Sequence, residues 1–409
     1  MLKKVLLLNT VAGKGSVGRI VTGLASTLRS RGVDSLIAFG RWDAPENFNT
    51  YRIGSDAGVY VHGALSRLTD RHGLYSSGPT EKLIEKIRQY DPDIIHIHNV
   101  HGYYVNYKIL FNFLKNDFSV KPGRRIIWTL HDCWSFTGHC VHFEYAGCER
   151  WKTGCFSCPE KDQYPRSFLM DSSRSNYSLK KECFTGIGNL TVVTPSEWLK
   201  QKVQESFLSG YPVETIPTGI DLSVFKPVST DLRERYGLTG KKVLLGAANP
   251  WRDRKGFKDF IELSRHIGED TVIVMIGIKK KQAEILKNIR NVIPIAKTDS
   301  ASEMAGWYST ADIYVNLTRE DTFPTTNIES MACGTPVITY NAGGSPESLT
   351  PETGIVTTEN NISCVIKAVK EIFDRNMSEV KEACIKRAGS YGSEKRFREY
   401  IEKVYEKVL

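Results

Sequence analysis

Short apolar runs alternate with helix-length segments along almost the whole chain, in two separate sets. KVLLLN (4–9), SLIAFG (35–40), DIIHIHN (93–99), RIIWTLHD (125–132) and TVVTPS (191–196) form the first set. KVLLGAAN (242–249), TVIVMIG (271–277), VIPIA (292–296), DIYVNLT (312–318) and PVITYN (336–341) form the second. Runs this apolar do not alternate in polarity, so each strand is buried on both faces. That is the mark of parallel sheets covered by helices, such as those read at 18–31 and 258–267. A chain of 409 residues exceeds one hydrophobic core. The fold class is therefore α/β with two Rossmann-like domains, 1–210 and 211–392, joined through the Pro/Gly-rich stretch 210–227. A last helix spans 393–409.

The stretch DTFPTTNIESMACGTPV (321–337) carries the most chemistry. The acidic pair Glu320 and Asp321 precedes Phe323 and Pro324, and the polar residues from Thr325 onward can open a helix. Glu329 follows one turn into that helix, and Gly334 stops it before a buried strand. Unpaired N–H groups and the dipole at a helix start suit a diphosphate, and a carboxylate suits sugar hydroxyls. An ordinary capped helix is the bland alternative.

Other motifs sit at strand ends. Asn249-Pro-Trp-Arg-Asp-Arg-Lys255-Gly256 places Arg252, Arg254 and Lys255 after the first strand of the second set, where cations can neutralise phosphate charge. Thr129-Leu-His131-Asp132 ends a strand of the first set, and the C-terminal ends of such strands face the ligand crevice. His96 and His98 alternate onto one face, with His101 nearby. Gly13 to Gly18 spells G-x-G-x-x-G, a dinucleotide fingerprint, but Asp43 comes late for the acid that motif requires. Cys140, Cys148, Cys155 and Cys158 crowd a loop without periodicity and end in C-x2-C. Four thiolates make a closed structural zinc site, with His139 and His142 as alternative ligands. Free or redox-active thiols are the other reading.

Net charge is +9, of which residues 1–210 hold +8 (27 Lys and Arg against 19 Asp and Glu). A basic domain suits an anionic lipid face or a phosphate-bearing acceptor. No nucleic-acid-binding motif is present, so nucleic acid is not an expected partner. No apolar run reaches the roughly 18–20 residues of a membrane span. The start MLKKVLLLNTVAGKG reads as a strand rather than a signal peptide, so the expected location is cytoplasmic, at or near the inner membrane face.

The 321–337 stretch resembles the donor-site signature of family 4 retaining glycosyltransferases, an acid, seven residues, a Glu and then ACGTPV. Asp321 stands where the family has its first Glu, and Glu329 matches the second. The phrases HDCWSFTGHC and EDTFPTTNIE resemble exopolysaccharide transferases of the colanic-acid type along nearly the whole chain. The resemblance implies a GT-B fold, two Rossmann-like domains facing across a cleft, with the last helix crossing back to the first domain. It implies an acceptor-binding first domain and a donor-binding second. It assigns catalytic roles to His131, Lys255, Asp321 and Glu329. Donor contacts fall on Gly15, Ser16, Arg252, Arg254, Lys255, Glu320, Phe323, Pro324, Thr325 and Glu329. Gly343-Gly344-Ser345-Pro346-Glu347 resembles a family loop near the nucleotide, and Pro217-Thr218-Gly219-Ile220-Asp221 a family turn. The implied reaction moves a sugar from a nucleoside diphosphate sugar to a glycan or lipid-linked exopolysaccharide or capsule acceptor. The leaving diphosphate takes the acceptor proton, with no catalytic cofactor or metal. An epimerase or phosphorylase of the same fold, or a non-catalytic nucleotide-sugar-binding protein, are the alternatives.

Overall fold

The computed structural model describes residues 2–406, apart from the side chain of Phe118. It divides into two compact units, residues 1–217 with 396–409 and residues 218–395. The N-terminal sheet holds β1 (Lys4–Asn9), β2 (Asp34–Phe39), β3 (Thr50–Arg52), β4 (Ile94–Ile97), β5 (Arg125–Thr129), β6 (Leu190–Thr194) and β7 (Val213–Thr215). Their order is β3-β2-β1-β4-β5-β6-β7, and every pairing is parallel. The C-terminal sheet holds β8 (Lys242–Ala247), β9 (Thr271–Ile276), β10 (Val292–Ile295), β11 (Ile313–Asn316), β12 (Val337–Thr339) and β13 (Gly354–Val356). Its order is β10-β9-β8-β11-β12-β13, again all parallel.

Burial explains the continuous apolar runs. In β1, Leu6 and Leu8 join one core while Val5 and Leu7 join another on the opposite face. In β8, Val243 and Leu245 face one core and Leu244 the other. Strand order reverses direction between β1 and β4 in the first sheet, and between β8 and β11 in the second. Those switch points are where open α/β sheets bind ligands, beyond the carboxyl ends of the strands.

Four details differ from the sequence reading. The short strands β3, β7 and β13 carry too few residues for a periodic signal. β7 also lies inside the stretch read as interdomain link, so the boundary narrows to Pro217/Thr218. The first helix begins at Gly15, not 18; Gly15 takes φ +68, a turn into the helix that glycine makes without strain. The last helix runs Ser393–Glu399 and continues as a π-helical segment, Tyr400–Tyr405; residues 407–409 lie outside the described residues.

That closing segment is fastened to the N-terminal unit. A Cβ on Gly23 would lie 2.2 Å from the Phe397 ring, so only Gly lets the two helices meet there. Buried Arg125 donates to Tyr405 O at 2.6 Å and Val404 O at 2.5 Å, satisfying carbonyls that a helix end leaves unpaired. His96 is part of this packing: its ring bonds Tyr405 Oη at 2.6 Å and Thr129 Oγ1 at 2.7 Å. Among the described residues, no helix is long and apolar enough to cross a membrane.

Candidate active site

The C-terminal switch point gathers the charged residues. The loop after β8 bears Arg252, Arg254 and Lys255, and the loop after β11 bears Glu320 and Asp321. Arg319 N donates to Arg254 O at 2.9 Å, tying the loops through their backbones. Two ion pairs cross between them: Arg254 with Glu320 at 3.2 Å and Lys255 with Asp321 at 2.7 Å. The pairs are not equivalent. The Glu320 side chain is 3% exposed, whereas Lys255 and Asp321 are 24% and 25% exposed. The difference lies in the acids: Glu320 is buried beneath an Arg254 that is itself 21% exposed, whereas both members of Lys255–Asp321 are within reach of a ligand. Arg252 is exposed.

Glycines allow this crowding. Gly256 has φ +79, and a Cβ there would lie 2.6 Å from Leu317 Cβ. Gly343 has φ +58, and its Cβ would lie 2.0 Å from Asp321 O. Gly344 N donates to that same oxygen at 2.9 Å, so the 343–347 loop is laid against the acid.

The helix after the acids spans Thr325–Ala332, with Pro324 at its N-cap and no side-chain capping bond from that residue. Asn327, read from sequence as a possible cap, is buried instead. It accepts from Asn316 at 2.8 Å and donates to Ser348 at 3.1 Å. Phe323 packs on Tyr391, with ring centroids 5.8 Å apart, and its N–H donates to Asp321 Oδ1 at 3.2 Å. Phe323 and Pro324 therefore bury their side chains and present backbone to the loop. Thr325 is half-buried. Glu329 accepts from Tyr308 Oη at 3.2 Å. Burial, with Glu329 alongside, holds the Tyr308 phenol well above its ordinary range, so it stays a donor. Sequence alone did not mark Tyr308, which lies 21 residues upstream on another helix.

The N-terminal switch point is built from neutral rings. His96 and His98 share a face, as alternation predicts, with centroids 4.2 Å apart. His98 Nδ1 meets His131 Nε2 at 3.0 Å, and those rings stack at 5.3 Å. Burial pushes His96 down to about 3, His131 to about 4 and His98 well below the usual value. Asp132 pairs with His101 at 2.9 Å, and His101 also bonds Tyr164 at 3.2 Å. Gly15 and Ser16 form the exposed first turn of the helix Gly15–Ser30, where an added Cβ at Gly15 meets nothing within 4 Å. Asp43 is exposed and 3.9 Å from Lys14.

The family model described as "Glycosyltransferase Family 4" matches residues 17–224, about half of the chain. That described as "Glycosyl transferases group 1" matches residues 228–390. The colanic acid biosynthesis glycosyl transferase WcaC of Escherichia coli is 26% identical over 321 residues, covering 76% of this chain and 75% of that protein. The glycosyltransferase YtcC of Bacillus subtilis is 28% identical over 233 residues, 50% of this chain and 56% of its own. Among solved structures, sucrose-phosphate synthase from Thermosynechococcus elongatus superposes with TM-score 0.68 at 14% identity, covering 99% of both chains. HepE of Anabaena, in complex with UDP and glucose, gives 0.65 at 13% identity over 100% of both. These structures share the GT-B fold of two Rossmann-like domains. With family models spanning both units, the chain belongs to glycosyltransferase family 4.

Proposed function

We propose that the protein transfers a sugar, with retention of anomeric configuration, from a nucleoside diphosphate sugar to a growing, lipid-linked exopolysaccharide or capsule glycan. The carrying observation is the reachable Lys255–Asp321 pair, 2.7 Å apart, at the switch point of the C-terminal sheet. It sits in sequence just before a helix start that no cap side chain closes. A diphosphate arriving there competes with Asp321 for Lys255. Arg252 supplies further positive charge, while Arg254 holds buried Glu320. Asp321, rather than Glu320, then serves as the first acid of the motif. Glu329, oriented by Tyr308, accepts from ribose hydroxyls.

Two cations stabilise the departing diphosphate without a metal, as charge placed in advance at a developing oxyanion does. The diphosphate takes the acceptor proton on the same face, so no enzymatic nucleophile is needed. His131, steadied by the stacked His98, stays neutral at pH 7 and meets a sugar hydroxyl as an uncharged imidazole. HepE, solved with UDP and glucose, and WcaC, of colanic acid biosynthesis, support the donor class and the acceptor class. The +8 charge of residues 1–210 suits contact with an anionic membrane face.

The test is a panel of nucleoside diphosphate sugars with a lipid-linked glycan acceptor. Release of nucleoside diphosphate should require the acceptor, and NMR of the product should show the donor's anomeric configuration. Inverted product, or donor isomerisation without acceptor, would replace this reading.

A further inference from the structure

The loop between β5 and the helix Ser173–Phe184 carries a cluster that sugar transfer does not use. Cys140, Cys148, Cys155 and Cys158 all line one cavity of about 10 Å³, together with His139. That volume is close to a single water, far below any cofactor or substrate. Cys140 and Cys158 are in thiol contact, and Cys148 and Cys155 line the same cavity. None of the four is in a disulfide.

The surroundings are shaped for these sulfurs. Gly138 N donates to Cys155 Sγ at 3.1 Å. A Cβ on Gly138 would lie 2.7 Å from Cys155 Cβ and 2.1 Å from Ser173 O, so this approach admits only glycine. Ser157, inside the C-x2-C turn, takes φ 44, a left-handed conformation costly for a non-glycine residue. Arg150 holds that turn through Phe156 O at 2.9 Å and Ser157 O at 2.5 Å.

Two further groups point to a missing charge. His139 is 1% exposed; its Nδ1 is bound to Asp70, and its Nε2 is buried without a hydrogen bond. Lys180 is also 1% exposed, and its Nζ donates to Trp134 O at 2.7 Å and Thr137 O at 2.9 Å. Its Nζ also lies 3.3 Å from the centroid of the Trp134 ring, so the ammonium is held against the segment that leads into Cys140. A buried cation needs nearby negative charge. Thiolates supply it only when something holds them deprotonated, and Zn²⁺ with four thiolates leaves two net negative charges.

We propose that Cys140, Cys148, Cys155 and Cys158 bind one structural zinc ion, with Lys180 balancing its charge and Asp70-held His139 packed beside the thiolates. His139 is assigned beside the metal rather than on it because Cys140, its neighbour in sequence, is already a ligand. Asp70, His72 and His139 have ligand atoms within 4.8 Å of one another. They form a second candidate set, but Asp70 and His139 are in direct contact, which leaves no space for an ion between them.

The test is elemental analysis of the full chain purified without chelator, with a coloured chelator reporting zinc as a mercurial reagent titrates the thiols. About one zinc per chain, released as four thiols react, is expected. Cys158→Ser and Cys148→Ser should each lose the ion, while Cys384→Ser, in the C-terminal unit, keeps it. His139→Ala should keep it with about 10–100-fold weaker affinity, the usual effect of losing a group that supports a ligand. Absence of zinc with four freely titrating thiols, or iron in its place, overturns the proposal. Zinc retained by Cys148→Ser but lost by His139→Ala overturns the four-thiolate set. The titration on the unaltered chain decides the matter even where a variant fails to fold.

Discussion

The two sheets have the same parallel, switch-point architecture, yet their switch points are opposite in electrical character. Beyond β8 and β11 lie Arg254–Glu320 and Lys255–Asp321, two ion pairs of graded exposure. Beyond β4 and β5 lie His98 and His131, stacked and kept neutral by burial, with a single carboxylate, Asp132, paired to His101 beside them. Eight of the nine histidines fall within residues 1–217. A fold places loops at a ligand crevice without dictating their charge. Mobile ion pairs suit a charged diphosphate, and neutral imidazoles suit sugar hydroxyls. The contrast teaches that the same architecture can carry a charged loop cluster in one unit and a histidine cluster in the other.

The largest expected effect tests the charged end. Lys255→Ala should lower turnover by about 100–1000-fold, the scale of a lost oxyanion donor. Steady-state kinetics with saturating donor will show it, and turnover within a few-fold of the unaltered protein would remove Lys255 from the chemistry. Next is Glu329→Ala, which takes away a charged acceptor and leaves Tyr308 without its partner. Donor affinity should fall by about 1.5–3 kcal/mol by calorimetry. Unchanged affinity in a folded variant would move the ribose contact elsewhere.

Acid should separate the two units. His96, His98 and His131 titrate below their ordinary value in the folded state, so the unfolded chain binds their protons first as pH falls. Their stabilising effect is complete above about pH 6.5 and declines as pH falls toward about 4, by up to about 1.4 kcal/mol per pH unit for each site. His266, the single histidine of the C-terminal unit, is exposed and pairs with Glu262 at 2.9 Å. Peptide-resolved hydrogen exchange at pH 7 and pH 5 should therefore show protection lost around β4 and β5 before β8 and β11. Equal loss in both would break the comparison. The smallest expected effect is that of removing divalent metal: donor binding by the C-terminal unit should be unaltered by EDTA. A strict need for added magnesium or manganese would mean that Lys255 and the arginines do not suffice.

Much of the site is legible in the amino-acid sequence. The acid motif, Lys255-Gly256 and the glycines at 343–344 sit where sequence placed them, because strand ends and helix starts are encoded by neighbouring residues. Other parts are not legible there. Tyr308 reaches Glu329 from a separate helix, and no local pattern announces that contact. Asp132 pairs with His101, 31 residues upstream, a contact set by how the loops after β4 and β5 fold and announced by no sequence interval. Asn327 reads as a cap but becomes a buried tie between β11 and the 345–348 turn.

What sequence by itself determined is the parallel α/β character of both units and the loops that could carry chemistry. Runs buried on both faces need no partner to be recognised, since their continuous hydrophobicity is local. Tertiary structure alone decided between near-equivalents. Glu320 and Asp321 are adjacent and both acidic, as Arg254 and Lys255 are adjacent and both basic. Only packing separates the acids, burying Glu320 at a side-chain exposure of 3% and leaving Asp321 at 25%, while the two cations stay comparably exposed. The physical reason is that burial and charge pairing depend on which loops the sheet brings together, and strand order, not chain order, makes β8 the neighbour of β11.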